Sequence, residues 1–314
     1  MSGQDGCRQG GRADLSAGLD GLETERADPR YAAIDRASVA ELATLMNDAD
    51  ATVPAAVRAA LPRIVPAIEA VADRMRDGGR LLYVGAGTPG RLGVLDASEC
   101  PPTFSTPPDL VRGLIAGGEP AMFAAQEGVE DDADAGRAVI ASEEVGPADA
   151  VVGITASGRT PYVLAAIAEA RMRGALTVGV SCNAGTALSA AAEHGIEVLV
   201  GPEVVAGSTR LKAGTAQKLV LNMFSTIVMV RLGKTYGNLM VDLGATNAKL
   251  RERAIRMVRT VTGVSRERAE EALEASGMRV KLAILRLERG LETAEATARL
   301  AAADGRLRDV LERP

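Results

Sequence analysis

Residues 81–91 read Leu81-Leu82-Tyr83-Val84-Gly85-Ala86-Gly87-Thr88-Pro89-Gly90-Arg91. A short apolar run that breaks into a glycine-rich turn and then continues as a helix is the opening of a strand–turn–helix unit. Glycines let the backbone approach a ligand, and the free N–H groups of a helix start attract an anion. The turn alone is weak evidence, because Gly-x-Gly corners also serve dinucleotide sites or merely close a tight bend.

Further apolar runs follow at Leu110–Ile115, Ala150–Ile154, Leu176–Val180 and Ile196–Val200, each separated from the next by a helical segment. Five short strands alternating with helices predict an α/β fold, a three-layer αβα sandwich on a five-stranded parallel sheet. Ligands in such folds bind at the carboxyl ends of the strands. The third strand ends in Thr155-Ala156-Ser157-Gly158-Arg159-Thr160-Pro161, a second polar glycine turn ahead of a helix. Two such loops on one sheet can hold one phosphate from two sides; the plain alternative for Thr160 is ordinary N-capping.

Ahead of the sheet, Ser38–Asn47 reads as a short capped helix, and Thr52-Val53-Pro54 as the N-cap of a longer one that Pro62 and Pro66 should kink or split before Gly78-Gly79 stops it. Beyond the sheet, Gly214–Leu232 and Asn247–Thr260 read as helices. Thr262-Gly263 then marks a boundary, followed by three short amphipathic helices at Arg266–Ala275, Met278–Arg289 and Ala294–Ala302. The expected organisation is a tail over 1–20, a sheet domain with its flanking helices over 21–260, and a small all-helical module over 261–314.

Composition narrows the chemistry. Hydrophobic residues make up 47% of the 314 positions and charged residues 25%, so the chain should bury a core. It has no Trp, three Phe and four Tyr, and a net charge of −5, which leaves no basic or aromatic footprint for nucleic acid. Cys7, Cys100 and Cys182 are odd in number and widely spaced, which suits a reducing compartment and offers no zinc spacing. The single histidine, His194, reads as a solvated helix end, so a histidine base or histidine-rich metal site is not expected. Residues Met1–Leu19 lack an apolar run and read as a flexible tail, not a secretory signal; the most apolar stretch, Leu219–Leu232, carries Asn222, Ser225, Thr226 and Arg231 and reads as a buried helix. A cytoplasmic protein with no membrane span is expected.

The first loop has Gly at position 90, yet the second strand ends Ile115-Ala116-Gly117-Gly118 with no acid for a ribose, which argues against a dinucleotide. Carboxylates remain as acids and bases. Glu99, in Asp96-Ala97-Ser98-Glu99-Cys100-Pro101-Pro102, should end a helix on a rigid corner near the first loop. Glu130, in Gly128-Val129-Glu130-Asp131-Asp132, opens a helix, where it could simply complement the helix dipole.

Together the segments GAGTPGRLGVLDASECPPTF, GVEDD, ITASGRTPYV, GPEVVAGSTRLKAGTAQKLVLNM and RLGKTYGNLMVDLGATNAKLRERA resemble the N-acetylmuramic acid 6-phosphate etherases. The similarity runs from about Leu22 to the last helices, and the series in this order is specific where each loop alone is not. The resemblance implies a sugar isomerase (SIS) fold, a homodimer with sites near the subunit interface, and a C-terminal module like a ubiquitin-associated domain. It also implies conversion of a sugar phosphate, N-acetylmuramic acid 6-phosphate, and water to N-acetylglucosamine 6-phosphate and D-lactate, without metal or nucleotide cofactor.

By the same resemblance Glu99 is the catalytic acid and Glu130 the base. Gly87, Thr88 and Gly90, with Ser157, Gly158, Arg159 and Thr160, would hold the phosphate. Glu203, Ser208, Arg210 and Lys212 in GPEVVAGSTRLK would complete the site, with surface salt bridges as the alternative for the charged ones. Pro89 departs from the family, which commonly has Ser there, and removes both a hydroxyl and an N–H. Two other readings of the same fold are a non-catalytic sugar-phosphate sensor and a phosphosugar isomerase.

Overall fold

The computed structural model describes residues 21–243 and 247–312; the expected tail lies outside them. A five-stranded parallel sheet stands at the centre, built from β1 (Leu81–Gly85), β2 (Val111–Ile115), β3 (Ala150–Ile154), β4 (Leu176–Ser181) and β5 (His194–Glu197) in the order β2-β1-β3-β4-β5. Every residue of β1, β3 and β4 is buried, as expected of central strands covered on both faces. Because strand order reverses direction at β1, the crevice between β1 and β3 is the topological switch point, where such sheets open towards ligands.

Alternation along the strands divides the core in two. Leu81, Tyr83, Val152 and Val178 pack with α2 (Val53–Arg76) and α8 (Lys212–Arg231), while Leu82, Val84 and Val151 pack with α5 (Ala133–Ser142) and α6 (Pro161–Met172) on the other face. The remaining helices of this part are α1 (Val39–Asp50), α3 (Gly87–Phe104), α4 (Pro120–Phe123) and α7 (Ala187–Ala191). The capped start of α1 is a full capping box between Ser38 and Glu41.

Three local expectations are corrected. Pro62 and Pro66 do not split α2, which runs 24 residues through both; each proline ring is exposed, so its missing hydrogen bond falls on the solvent side, where water can take the freed carbonyl. Thr52 stands at the N-cap of α2 but does not cap it, since its hydroxyl donates to Ala49 O at 2.7 Å. His194 is not a helix end: α7 stops at Ala191, the chain is extended by Ala192, and His194 pairs with Val178 as the first residue of β5, two residues ahead of the expected strand.

The C-terminal module is all-helical: α9 (Ala248–Thr262), α10 (Arg266–Ala275), α11 (Val280–Arg289), α12 (Thr293–Ala302) and α13 (Leu307–Glu312). The last of these has no counterpart in the sequence reading. The module's core centres on Ala283, Ile284 and Leu285 and takes in Val241, Leu243, Ile255 and Val258. α9 and the segment ahead of it pack in this core together with the helices beyond 261. Lys281 fastens the junction, donating from its buried Nζ to Asp242 Oδ2 and to Gly305 O, both at 2.7 Å.

Candidate active site

Strand β1 delivers the first glycine loop directly into α3. Ala86 occupies the N-cap with no side-chain cap, so the N–H groups of Gly87 and Thr88 remain without partners inside the helix. Pro89 sits in the same turn and contributes no N–H, as its ring requires. The turn is tight: a Cβ on Gly90 would lie 2.7 Å from Gly85 O and from Ile115 Cγ1. Thr88 leans towards α8, where a Cβ on Gly214 would come within 3.5 Å of its methyl group.

Strand β3, beside β1, delivers the second loop, which is built from hydroxyls. Thr155 Oγ1 lies 2.7 Å from Thr160 Oγ1 and 3.3 Å from Ser157 Oγ, and the Arg159 N–H donates to Ser157 Oγ at 3.2 Å. Thr160 occupies the N-cap of α6, yet its hydroxyl does not cap; it belongs to the Thr155 network, which removes the plain capping alternative. Gly158 has φ +70°, and a Cβ there would fall 2.3 Å from Thr186 Cβ.

The structure separates the two expected catalytic acids. Glu130 lies exposed in a 3-10 turn, Val129–Asp131, that packs against α6, the helix into which the second loop leads. It does not open the following helix: Asp132 does, accepting from the Ala135 N–H at 2.8 Å. Glu99 does not end α3 at the prolines. The helix continues through Pro101 and Pro102 to Phe104 and stops where Ser105 turns left-handed at φ +50°. Glu99 is thus exposed on the flank of α3, twelve residues beyond Gly87 and about 18 Å along the axis at 1.5 Å per residue. It is not near the first loop of its own chain.

The residues after β5 also differ from expectation. Glu203 is 1% exposed, and its two carboxylate oxygens accept from the Lys212 N–H at 3.0 Å and the Ala213 N–H at 2.9 Å, closing the start of α8. Lys212 is buried too and donates from Nζ to Val200 O at 2.7 Å. Both are interior groups bonded to the backbone at the start of α8, not surface salt bridges. Burial pushes the Glu203 carboxyl up, against its backbone donors, and pushes the Lys212 ammonium down. Ser208 and exposed Arg210 lie in the turn leading to α8; the Ser208 N–H is spent on Val205 O.

Two features escaped the sequence reading. Asp96, one turn before Glu99, is buried and accepts from Tyr83 OH (2.9 Å), Asn222 Nδ2 (2.7 Å) and Ser225 Oγ (3.1 Å), pinning α3 to β1 and α8. Burial raises its carboxyl above the usual range while those three donors pull it back. The second feature is Thr24, fully buried and joined to Asn183, far away in sequence. Nothing local in either stretch signals these partners.

A cavity of about 980 Å³ is lined by Arg30, Tyr31, Leu45, Leu199 and Lys212 among others, but by none of Gly87, Ser157, Glu99 or Glu130. Among the described residues no group of three or more His, Cys, Asp or Glu could hold a metal ion, and no helix is long and apolar enough to cross a membrane.

Comparison with known proteins accords with this layout. Residues 63–171 match the glucokinase regulatory protein N-terminal SIS domain, 134–227 the SIS domain, and 237–304 the C-terminal lid domain of glucokinase regulatory protein. Among solved structures, a phosphoheptose isomerase from Francisella tularensis is 18% identical, with a TM-score of 0.49 over 62% of this chain and 99% of that one. The N-acetylmuramic acid 6-phosphate etherase of Streptomyces avermitilis is 58% identical over 95% of this chain and 96% of its own length. That of Rubrobacter xylanophilus is 59% identical over 90% and 94%, and that of Escherichia coli O127:H6 51% identical over 94% and 99%. At such identity over nearly the whole length of both partners, this chain belongs to the N-acetylmuramic acid 6-phosphate etherase family.

Proposed function

We propose that this protein is a cytoplasmic carbon–oxygen lyase that converts N-acetylmuramic acid 6-phosphate and water to N-acetylglucosamine 6-phosphate and D-lactate. The observation that carries the reading is the near full-length identity of 51–59% to proteins of that name. It favours the etherase over a non-catalytic sensor or an isomerase, which the fold alone would equally allow.

In this reading the two glycine loops hold the phosphate at the β1/β3 crevice and the sugar reacts as its open-chain aldehyde. Glu130 takes the proton from carbon 2, which the neighbouring carbonyl acidifies. The electron pair forms the carbon 2–carbon 3 double bond as the carbon 3–oxygen bond breaks, and Glu99 gives the departing lactate oxygen its proton. Water then adds at carbon 3, its proton passes to the carboxylate left by the first step, and carbon 2 regains a proton. Proton balance is restored without a cofactor.

The separation along α3 gives this mechanism a condition. An axial distance of about 18 Å exceeds what a glutamate side chain and a six-carbon chain span together, which favours Glu99 meeting the loops of a second subunit. A homodimer with shared sites supplies it, and Leu95, one turn before Glu99 on the same flank, is 52% exposed as an interface residue would be in a separated chain.

The test begins with lactate release from N-acetylmuramic acid 6-phosphate by the parent protein; none from folded protein would hand the function to the sensor reading. Glu99→Gln and Glu130→Gln should each lower turnover about 100-fold or more. Mixing the two variants under conditions of subunit exchange should then restore lactate release, because each mixed dimer holds one centre with both acids intact. No recovery would put both acids in one chain and overturn the shared site.

A further inference from the structure

Between the two anion loops runs a third element that none of the functional motifs contains. Thr24 is fully buried; its N–H donates to Asn183 Oδ1 at 3.3 Å, and its hydroxyl accepts from Asn183 Nδ2 at 3.0 Å. The same amide nitrogen donates to Ala156 O at 2.9 Å, one residue ahead of Ser157 in the second loop. On its other side, Thr24 O accepts from the Gly207 N–H at 3.0 Å. Glu25 therefore follows a residue held from three directions.

One oxygen of its carboxylate approaches Gly207, where φ is +76° and a Cβ would sit 2.7 Å from Glu25 Oε2. From Gly207 the turn runs on to Thr209, whose carbonyl accepts from the Gly214 N–H, and Gly214 faces Thr88 of the first loop. A continuous line of contacts thus leads from the second loop through Thr24 and Gly207 to the first, and the Glu25 carboxylate borders it. Glu25 is half-buried and, among the described residues, makes no ion pair or side-chain hydrogen bond; the adjacent Arg26 is taken by Glu23.

We propose that Glu25 is a further substrate-binding residue, its carboxylate accepting hydrogen bonds from the hydroxyl or amide N–H groups of the amino sugar whose phosphate the two loops hold. The inference rests on the sugar-phosphate reading given above. An ionised carboxylate only accepts, so the groups it meets must be donors. It therefore fixes which way round the sugar lies, with its donor groups turned towards Glu25. A partly desolvated acid without a donor is costly, and a bound sugar would supply the missing donors with charge-assisted bonds.

The experiment compares parent, Glu25→Ala and Glu25→Gln, with Glu23→Gln as an exposed control and Thr24→Val as a variant that loosens the anchor. Affinity for N-acetylglucosamine 6-phosphate and for inorganic phosphate is measured by calorimetry, alongside kcat, KM and Tm. Glu25→Ala should weaken N-acetylglucosamine 6-phosphate about 10-fold, leave inorganic phosphate and Tm unchanged, and raise KM more than it lowers kcat. Glu25→Gln keeps one acceptor and should fall between Ala and parent, Glu23→Gln should match parent, and Thr24→Val should lower Tm.

Unchanged sugar-phosphate affinity in Glu25→Ala, or equal losses for sugar phosphate and inorganic phosphate, would overturn the assignment, as would a parent that binds phosphate but not the sugar phosphate. Calorimetry needs no turnover. A parent that binds the sugar phosphate without releasing lactate would sink the etherase reading and leave the Glu25 comparison intact.

Discussion

The two glycine loops occupy equivalent places at the ends of neighbouring strands, yet they are made differently. After β1 the chain offers backbone: Gly90 packs against Gly85, the N-cap is Ala86, and the free groups are the N–H of Gly87 and Thr88. After β3 it offers hydroxyls that are already bonded to one another through Thr155, around a Gly158 wedged against Thr186. The proposed phosphate site would thus join an unsatisfied helix start to a preorganised hydroxyl cluster. The first tolerates substitution where space is open, and the second should not.

The sharpest break comes from the glycines themselves. Gly158→Ala meets both a positive φ and a Thr186 contact at 2.3 Å, whereas Gly87→Ala meets a positive φ of +56° with nothing within 4 Å. Urea unfolding should therefore show a loss of roughly 2–4 kcal/mol for Gly158→Ala and about 1 kcal/mol for Gly87→Ala. Equal losses would mean that the second loop yields as easily as the first.

Next comes Ser157→Ala, which removes a hydroxyl expected to donate to an anion; such a bond contributes about 1.5–3 kcal/mol, so KM should rise roughly 10-fold or more with kcat nearly kept. An unchanged KM, and unchanged competition by inorganic phosphate, would take the phosphate off the second loop.

A smaller effect, of opposite sign, is expected from Pro89→Ser, which returns a hydroxyl and an N–H to the first turn of α3. Bonds of about 0.5–1.5 kcal/mol predict a KM lower by about 2- to 10-fold with little change in kcat. A higher KM would show that the ring's rigidity is worth more than the donors it removes.

The smallest concerns Gln217, one turn beyond the Gly214 that faces Thr88. Its buried amide nitrogen and oxygen have no partner among the described residues. Gln217→Met should leave unfolding stability equal or raise it by up to about 1 kcal/mol. A loss of substrate affinity instead would mean that the amide turns towards the ligand beside the first loop.

Much of this was legible in the chain. Burial on both faces makes central parallel strands continuous apolar runs, so β1, β3 and β4 stand out, and the residues at their carboxyl ends could be named as loop residues before any coordinates. Gly158 and the Thr155–Thr160 hydroxyls lie within six residues of one another, and local geometry is what sequence encodes directly. The module helices were readable from their glycine stops at Gly263 and Gly290, both left-handed C-caps.

What failed did so because the deciding partner was remote or the breaker was neutralised by position. Prolines in α2 read as a kink or break and those after Glu99 as a helix end, but a proline interrupts a helix only where its missing bond cannot be taken up; Glu99 therefore lies on the far flank of α3 and not on a corner beside the first loop. Glu203 and Lys212 carried charge that suggested a ligand, and only burial against the start of α8 and Val200 made them caps. Asp96 with Asn222, and Thr24 with Asn183, pair across 126 and 159 residues.

The sequence by itself determined the sheet, the two loops and the family, because periodicity, turn chemistry and motif order are properties of neighbouring residues. Tertiary structure alone decided where Glu99 and Glu130 stand, which charges are buried and where Glu25 rests, because each depends on surfaces brought together only when distant segments exclude water between them.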